Sequence, residues 1–466
     1  MIPVEPVTSA AAESPRPPSQ TRSVSAPRLA GRSLRNLLIF LACNIFVLNG
    51  LLLLIDRTLL DGDTWQADTF HTTAMFFEGR QGTDSLGAML PAIHLLEQNP
   101  RTRVYQSIFF DDHVKFQYPL TSLLPYYALQ RIGVSDRSLF RLTKIATYVS
   151  VGLTVLLTIL ISRKARLKTP NSPHSRLENL LLTAAICAAS LFFYPLMRGF
   201  VLGQIQAILT FGFTLAFYCW IEGKEIPAGI VMGLMVLVKP QYGLFFIWAL
   251  IRKKFGAAIA GLACTATGVL VSCIAFGFGN NLQYLQVLRS ISASGESYYA
   301  NQSANGLLNR LLFNGPNLFW DANHFAPHNT TVYLGTLVTT LALLILALIF
   351  PGPRERRGGV ADFACIVLAS TMASPVAWEH HYGILLPILA WLWFAIYAGR
   401  DTSQAKIAMA TAWVLASNSI PPVTALASVP IVNVFESYLY LGGLLVLILL
   451  LGSGSRHAWN SGSALA

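Results

Sequence analysis

"EIPAGIVMGLMVLVKPQYGLFFIWALIRKK", residues 225–254, holds one long apolar run with a polar break inside it. Its apolar run, 226–250, is longer than the roughly 20 residues that a membrane helix needs. The run starts after "EGKE" (222–225) and stops at "RKK" (252–254), and both flanks have the look of cytoplasmic ends. One crossing cannot begin and end on the same side. The run is also broken by "KPQYG" at 239–243, and Pro does not continue a helix. A helical hairpin satisfies both facts: the chain climbs to the outer side, turns at Lys239–Pro240 and returns. Such a break is tolerated where protein covers it or water reaches it.

The rest of the chain fits the same setting. Of 466 residues, 54% are hydrophobic and 12% charged, against about 25% charged in soluble domains. Further apolar runs lie at about 37–55, 141–162, 178–196, 203–221, 256–278, 332–350, 361–373, 382–398, 407–420 and 432–452. This is the signature of an all-α polytopic membrane protein with about 10–12 transmembrane helices. A β-barrel would alternate over segments of about 10 residues. The net charge of +11 does not point to nucleic acid, because the basic residues sit in short clusters beside apolar runs. These clusters are "RKARLK" (163–168), "RKK" and "RERR" (354–357). All six Cys lie in apolar runs, without metal-ligand spacing or a disulfide framework.

Residues 1–35, rich in Pro, Ser and Arg, are expected to form a disordered cytoplasmic tail. Residues 36–452 form the membrane domain, and 453–466 a second cytoplasmic tail. Two external loops are expected, at about 56–140 and 279–331. The polar part of the first, 56–117, holds nine of the 22 acidic residues. Within it, "DSLGAMLPAIHLLEQ" (84–98) steps Leu86, Leu90, Ile93 and Leu96 round one helical face, as in an amphipathic surface helix. "NQSANGLLNRLLF" (301–313) in the second loop suggests another. The hairpin topology brings Lys239, "MRGFVLGQIQ" (197–206), "YYANQSANG" (298–306), "SPVAWEHHYG" (374–383) and the acidic first loop to one face, where a site is the natural inference.

Each candidate has a structural reading beside its functional one. Asp84 could act as general base toward an acceptor hydroxyl or cap the helix that it opens. Spacing alone favours the cap, and the two roles can coexist. Lys239, a cation at a membrane helix break, needs an anion: an internal carboxylate or a ligand phosphate. "WEHHYG" lacks the i, i+4 spacing of a helical zinc site. A His gripping an anionic leaving group, with Trp378 anchoring at the interface, is the better functional reading, and a structural turn is the alternative. "GQIQ" (203–206) offers a tight helix start and Gln204 for hydrogen bonding, a weak signal alone. In "KFQYPLTSLLPYY" (115–127), aromatic and Pro residues usually anchor at an interface.

The order of these segments is more specific than any one of them. "DSLGAMLPAIHLLEQNPRTRVY" is followed by "FQYPL", "LGQIQAILTFGFTLAF", "AGIVMGLMVLVKPQYGLFFIWALIRKK", "NQSANGLLNRLL" and "ASPVAWEHHYGILLPIL". Over about 37–400 the series resembles glycosyltransferase family 87, the polyprenyl-phosphate-mannose-dependent α-mannosyltransferases of the C-type membrane fold. The resemblance implies an inverting transfer of a hexose, mannose in the family, from a polyprenyl phosphate to a lipid or glycan hydroxyl. The setting implied is the outer face of the cytoplasmic membrane. Asp84 matches the first-loop Asp and would be the base. Lys239, His380 and His381 would hold the donor phosphate, His381 being the preferred His. Tyr118, Gln204, Asn301, Trp378 and Glu379 would shape the pocket. No metal or other cofactor is expected, because side-chain cations can serve a monophosphate leaving group.

Two departures from the family pattern bear on the base. Leu120 replaces a second Pro after Tyr118, and the first loop is long before Asp84. Asp56, Asp61, Asp63, Asp111 and Asp112 therefore compete for the same role. The rival function is a flippase of lipid-linked glycans. It would place charges near mid-bilayer and often shows inverted repeats; here the charges gather at one face and no repeat is visible.

Overall fold

In a computed structural model of the protein, residues 27–59, 68–100, 102–167, 175–349, 358–398, 402–425, 429 and 432–452 are described. Most of both expected tails, Asp61, Asp63 and "RERR" lie outside the described residues. The described residues fold as helices joined by short turns, with no β-strand and a single antiparallel bridge between Asn301 and Trp378. Four helices are long and apolar enough to cross a membrane alone: Leu34–Thr58, Asp136–Arg166, Phe255–Phe276 and Thr330–Ile349. The pair Arg176–Leu191 and Tyr194–Val201, bent by 53°, passes the same test together, as a broken span or a re-entrant loop. Gln206–Ile221, Glu225–Val236, Pro240–Ile251, Val360–Met372 and Tyr438–Gly452 are shorter apolar helices. The outer face of Phe255–Phe276 exposes Ile259, Leu262, Leu270 and Ile274. Such a stripe belongs against lipid.

The 225–254 stretch becomes two helices, Glu225–Val236 and Leu244–Ile251, separated by a 3₁₀ turn at Pro240–Gly243. The following helix runs in the same direction as the first. Gly229 faces Ala257, Gly233 faces Gly261, and Leu237 faces Gly268. The chain must therefore come back between them, as a hairpin does. The close approach depends on missing side chains. A Cβ on Gly229 would lie 2.2 Å from the Ala257 carbonyl oxygen, and one on Gly233 2.6 Å from that of Gly261. Small residues four apart are the usual means of such helix contact in membranes. The base of the hairpin is tied by Lys254 to Glu225 at 2.5 Å. Nearby, Arg252 binds Asp362 at 2.7 Å.

Two apolar cores result. The larger is the helix bundle, centred on the buried helices Val360–Met372 and Leu385–Ala398. A helix that is apolar on every side is stable only when covered on every side. The smaller core joins the external segments: Leu86, Met89, Ile93 and Leu96 of one loop helix pack with Tyr105, Phe116, Leu139 and Val287. The stripe expected on 84–98 is thus buried against the protein itself. The second loop helix, Ala304–Leu311, is turned the other way. It buries Asn305, Asn309 and Arg310, while Leu312 and Phe313 just beyond it are exposed. Its polar face is the inner one because Arg310 donates to the Asn301 carbonyl (3.0 Å) and to Ser437 (2.6 Å), and Asn309 to Asn305 (2.8 Å).

Candidate active site

The helix at 84–98 opens against the loop at 201–205. The Gly82, Asp84 and Ser85 N–H groups donate to the carbonyls of Val201 (2.7 Å), Leu202 (3.1 Å) and Gly203 (3.5 Å). Gly203 makes this contact possible. Its φ is +69°, a conformation that favours glycine, and a Cβ there would lie 2.1 Å from the Gly82 oxygen. The N-cap of the helix is Thr83, and Asp84 is its first residue. The capping reading of Asp84 is therefore corrected: the carboxylate accepts from Gln204 Nε2 at 3.2 Å. Gln204 is held in turn. Its Oε1 accepts from Ser85 Oγ (2.8 Å) and Tyr118 Oη (3.2 Å), which leaves the amide N–H₂ for Asp84. Ser85 Oγ also accepts from the Ile205 N–H at 2.9 Å. Gln204 thus fixes one carboxylate oxygen while Asp84 stays open to the cavity.

That cavity has a volume of about 960 Å³. Of the residues singled out in the sequence, Asp84, Tyr118, Gln204, Lys239, Trp378, Glu379, His380 and His381 line it. Asn301 does not line it. It is fully buried, with Nδ2 donating to the carbonyls of Glu296 (2.8 Å) and Pro375 (3.1 Å) and Oδ1 accepting from Ala377 N–H (2.9 Å). It braces the turn that carries Trp378 and Glu379. Asp56, Asp111 and Asp112 do not line the cavity either, and Asp111 is turned to Gln106 at 2.8 Å.

Lys239 sits between the two arms of the hairpin, 9% exposed, with Nζ against His381 Nε2. Among the described residues no carboxylate pairs with it. The internal-carboxylate reading of Lys239 is therefore set aside. His380 Nε2 and His381 Nδ1 are buried without hydrogen-bond partners. A buried polar atom without a partner is costly, and here these atoms belong to residues that line a cavity. Glu379 lines the same wall and accepts from Tyr194 (3.0 Å) and Tyr438 (3.4 Å).

The structure adds residues that the sequence reading did not name. Arg198 lines the cavity from the helix Tyr194–Val201, and its buried Nε has no hydrogen-bond partner. A lone Arg between "PLM" and "GFV" was the available signal. Lys115 is paired with Glu296 at 2.7 Å, both side chains under a tenth exposed. Tyr298 and Trp320 complete that end. The cavity has an apolar side as well, with Leu244, Ile247 and Leu344 among its walls. Ile247 is 49% exposed.

Electrostatics in the loops follow burial. The protein around Asp84 raises its carboxyl above the usual carboxylate range, opposed first by the Gln204 hydrogen bond and then by the Arg198 charge. Burial pushes Tyr118 up to about 12, so it remains a hydrogen-bond donor at neutral pH. Burial lowers Lys115 and raises Glu296, and their mutual attraction opposes both shifts. Among the described residues no three His, Cys, Asp or Glu side chains stand together as a metal site.

An all-helical membrane protein with an open carboxylate, buried cations and an apolar wall in one cavity is an enzyme-like scaffold for a lipid-borne anion. The sequence model of glycosyltransferase family 87 matches residues 116–375, more than half of the chain. The chain belongs to this family. Asp84 and the 378–381 turn lie outside the matched span. A polyprenol-phosphate-mannose-dependent alpha-(1-2)-phosphatidylinositol mannoside mannosyltransferase of Mycobacterium tuberculosis is 27% identical over 276 residues, 56% of this chain and 60% of that protein. The Mycolicibacterium smegmatis protein of the same name is 26% identical over 223 residues, 45% of this chain and 46% of its own. A polyprenol-phosphate-mannose-dependent alpha-(1-2)-phosphatidylinositol pentamannoside mannosyltransferase of M. smegmatis is 26% identical over 208 residues, 42% and 45% of the two chains. The chain thus matches less than two thirds of the length of each of these relatives. No solved structure matches.

Proposed function

We propose that the protein transfers a hexose, mannose as in its relatives' names, from a polyprenyl phosphate to a hydroxyl of a lipid or glycan acceptor, with inversion. The observation that carries this is one cavity holding Asp84, Lys239 and Arg198 beside an apolar wall. Asp84 takes the proton of the acceptor hydroxyl. The acceptor oxygen attacks the anomeric carbon from the face opposite the phosphate. The bond from that carbon to the phosphate oxygen breaks, and the lipid monophosphate leaves with the electron pair. Lys239, His381, His380 and Arg198 stabilise the leaving group by charge and hydrogen bonds, which act most strongly in a dry site. The wall at Leu244, Ile247 and Leu344 suits the lipid chain, and the exposure of Ile247 supports a lateral route to the bilayer. No metal or other cofactor takes part in this scheme.

The test is turnover by the purified protein with polyprenyl-phosphate-mannose and phosphatidylinositol mannosides. Nuclear magnetic resonance of the product reads the anomer. An α-linked product from a β-linked donor is expected. A β-linked product would remove inversion, and no transfer to any lipid or glycan acceptor would remove the reading itself.

The site is further proposed to open on the outer face of the cytoplasmic membrane, with the N-terminus inside. The pairing of Glu225 with Lys254 at the hairpin base supports placing both ends on one side. A cysteine introduced at position 253 should label from the cytoplasm, and one at Gln241, which lines the cavity, from outside. Labelling of both positions from the same side alone would sink the hairpin topology.

A further inference from the structure

Trp320, Trp378, Tyr298 and Lys115 all line the cavity, and they hold one another in place. Trp320 meets Trp378 edge to face, with centroids 5.3 Å apart and planes at 73°. Tyr298 lies 5.7 Å from Trp320 at 57°. The Lys115 ammonium stands 4.0 Å over the Trp320 ring and is itself pinned by Glu296 at 2.7 Å. Trp378 is fixed by its bridge to Asn301, and the next N–H, that of Glu379, donates to the Ala300 carbonyl at 3.0 Å. Yet Trp320 remains 44% exposed. An aromatic group that is both ordered and open is preorganised to bind.

We propose that Trp320, Trp378 and Tyr298 form a cradle for a pyranose ring of the acceptor, in the same cavity as Asp84. The inference rests on the transferase reading above and assigns particular residues of that cavity to the acceptor. A pyranose presents a patch of C–H bonds on one face, and the electron-rich face of an aromatic ring attracts it. Lys115 beside the cradle and Tyr118 beside Gln204 are three residues apart on one non-helical segment, so that segment links the rings to the surroundings of Asp84. The apolar wall suited to the donor lipid draws on other helices, through Leu244, Ile247 and Leu344.

The experiment compares the full-length protein with Trp320→Ala and Trp320→Phe in lipid nanodiscs. KM is measured separately for polyprenyl-phosphate-mannose and for a mannose-terminated glycolipid acceptor. Trp320→Ala should raise the acceptor KM about tenfold and the donor KM by less than about twofold, and Phe should restore most of the loss. An unchanged acceptor KM overturns the cradle, and a rise confined to the donor KM assigns the rings to the donor sugar instead. Saturation-transfer resonance with methyl α-mannopyranoside gives a readout without turnover. Wild-type signal that disappears in Trp320→Ala supports the cradle even if no donor is turned over, an outcome that would remove only the transferase reading. No signal in the wild type overturns the cradle.

Discussion

Asp84→Asn is expected to lower kcat about 10²–10⁴-fold, the range that a positioned general base contributes. The substitution is nearly isosteric, and its side-chain oxygen can still accept from Gln204, so the 82–85 and 201–205 segments should stay joined. Unchanged thermal unfolding alongside lost turnover is the expected pair of results. Full activity in the variant would remove Asp84 as the base. The pH profile gives an independent check. The base works as the carboxylate, so turnover should rise with pH through its pKa. Burial raises that pKa, placing the acid limb above the usual carboxylate range. The Gln204 hydrogen bond acts in the opposite direction by favouring the charged form. Gln204→Ala should therefore move the limb to higher pH, and an unmoved limb would contradict the role assigned to that hydrogen bond.

Lys239→Met is expected to lower kcat/KM for the lipid-phosphate donor about 10²–10³-fold, as loss of one preorganised donor to developing negative charge does elsewhere. The physical ground is that Lys239 is buried at a helix break and pairs with no carboxylate among the described residues. It lines the cavity, where its amino group can meet a ligand phosphate. Met keeps an unbranched side chain one atom shorter and removes a buried polar group, so the fold should not weaken. Arg should rescue poorly, because its planar fork cannot take the place of a compact ammonium against His381. Donor turnover in the Met variant at the wild-type level would rule out Lys239 as a phosphate ligand.

Much of the site was visible as interruptions of apolar sequence. Lys239 in "VLVKPQYG" and the polar turn "WEHHYG" stand out because a membrane helix has no solvent for them. Arg198 carries the same signal more faintly, as one charge in one apolar run. Trp320 and Lys115 carry none. They lie in irregular loop segments, where no period says which side chains turn inward. Asn301 misled for the same reason: an Asn in a loop can face a ligand or tie backbone, and here it ties three backbone groups. The helix at 304–311 was harder still. Its sequence has a polar and an apolar face, but in a membrane setting either can be the inner one.

The amino-acid sequence alone specified the all-helical membrane character, because a chain with so few charges must satisfy its backbone internally where lipid replaces water. It also determined the hairpin, because two cytoplasmic-type flanks and a Pro-containing break leave a single run no other path. The folded chain settled which of the described first-loop acids enters the cavity. That choice rests on Gly203, whose missing Cβ lets the 201–205 loop meet the start of the 84–98 helix and deliver Gln204 to Asp84. Such a contact joins residues 120 positions apart, and no local periodicity encodes it.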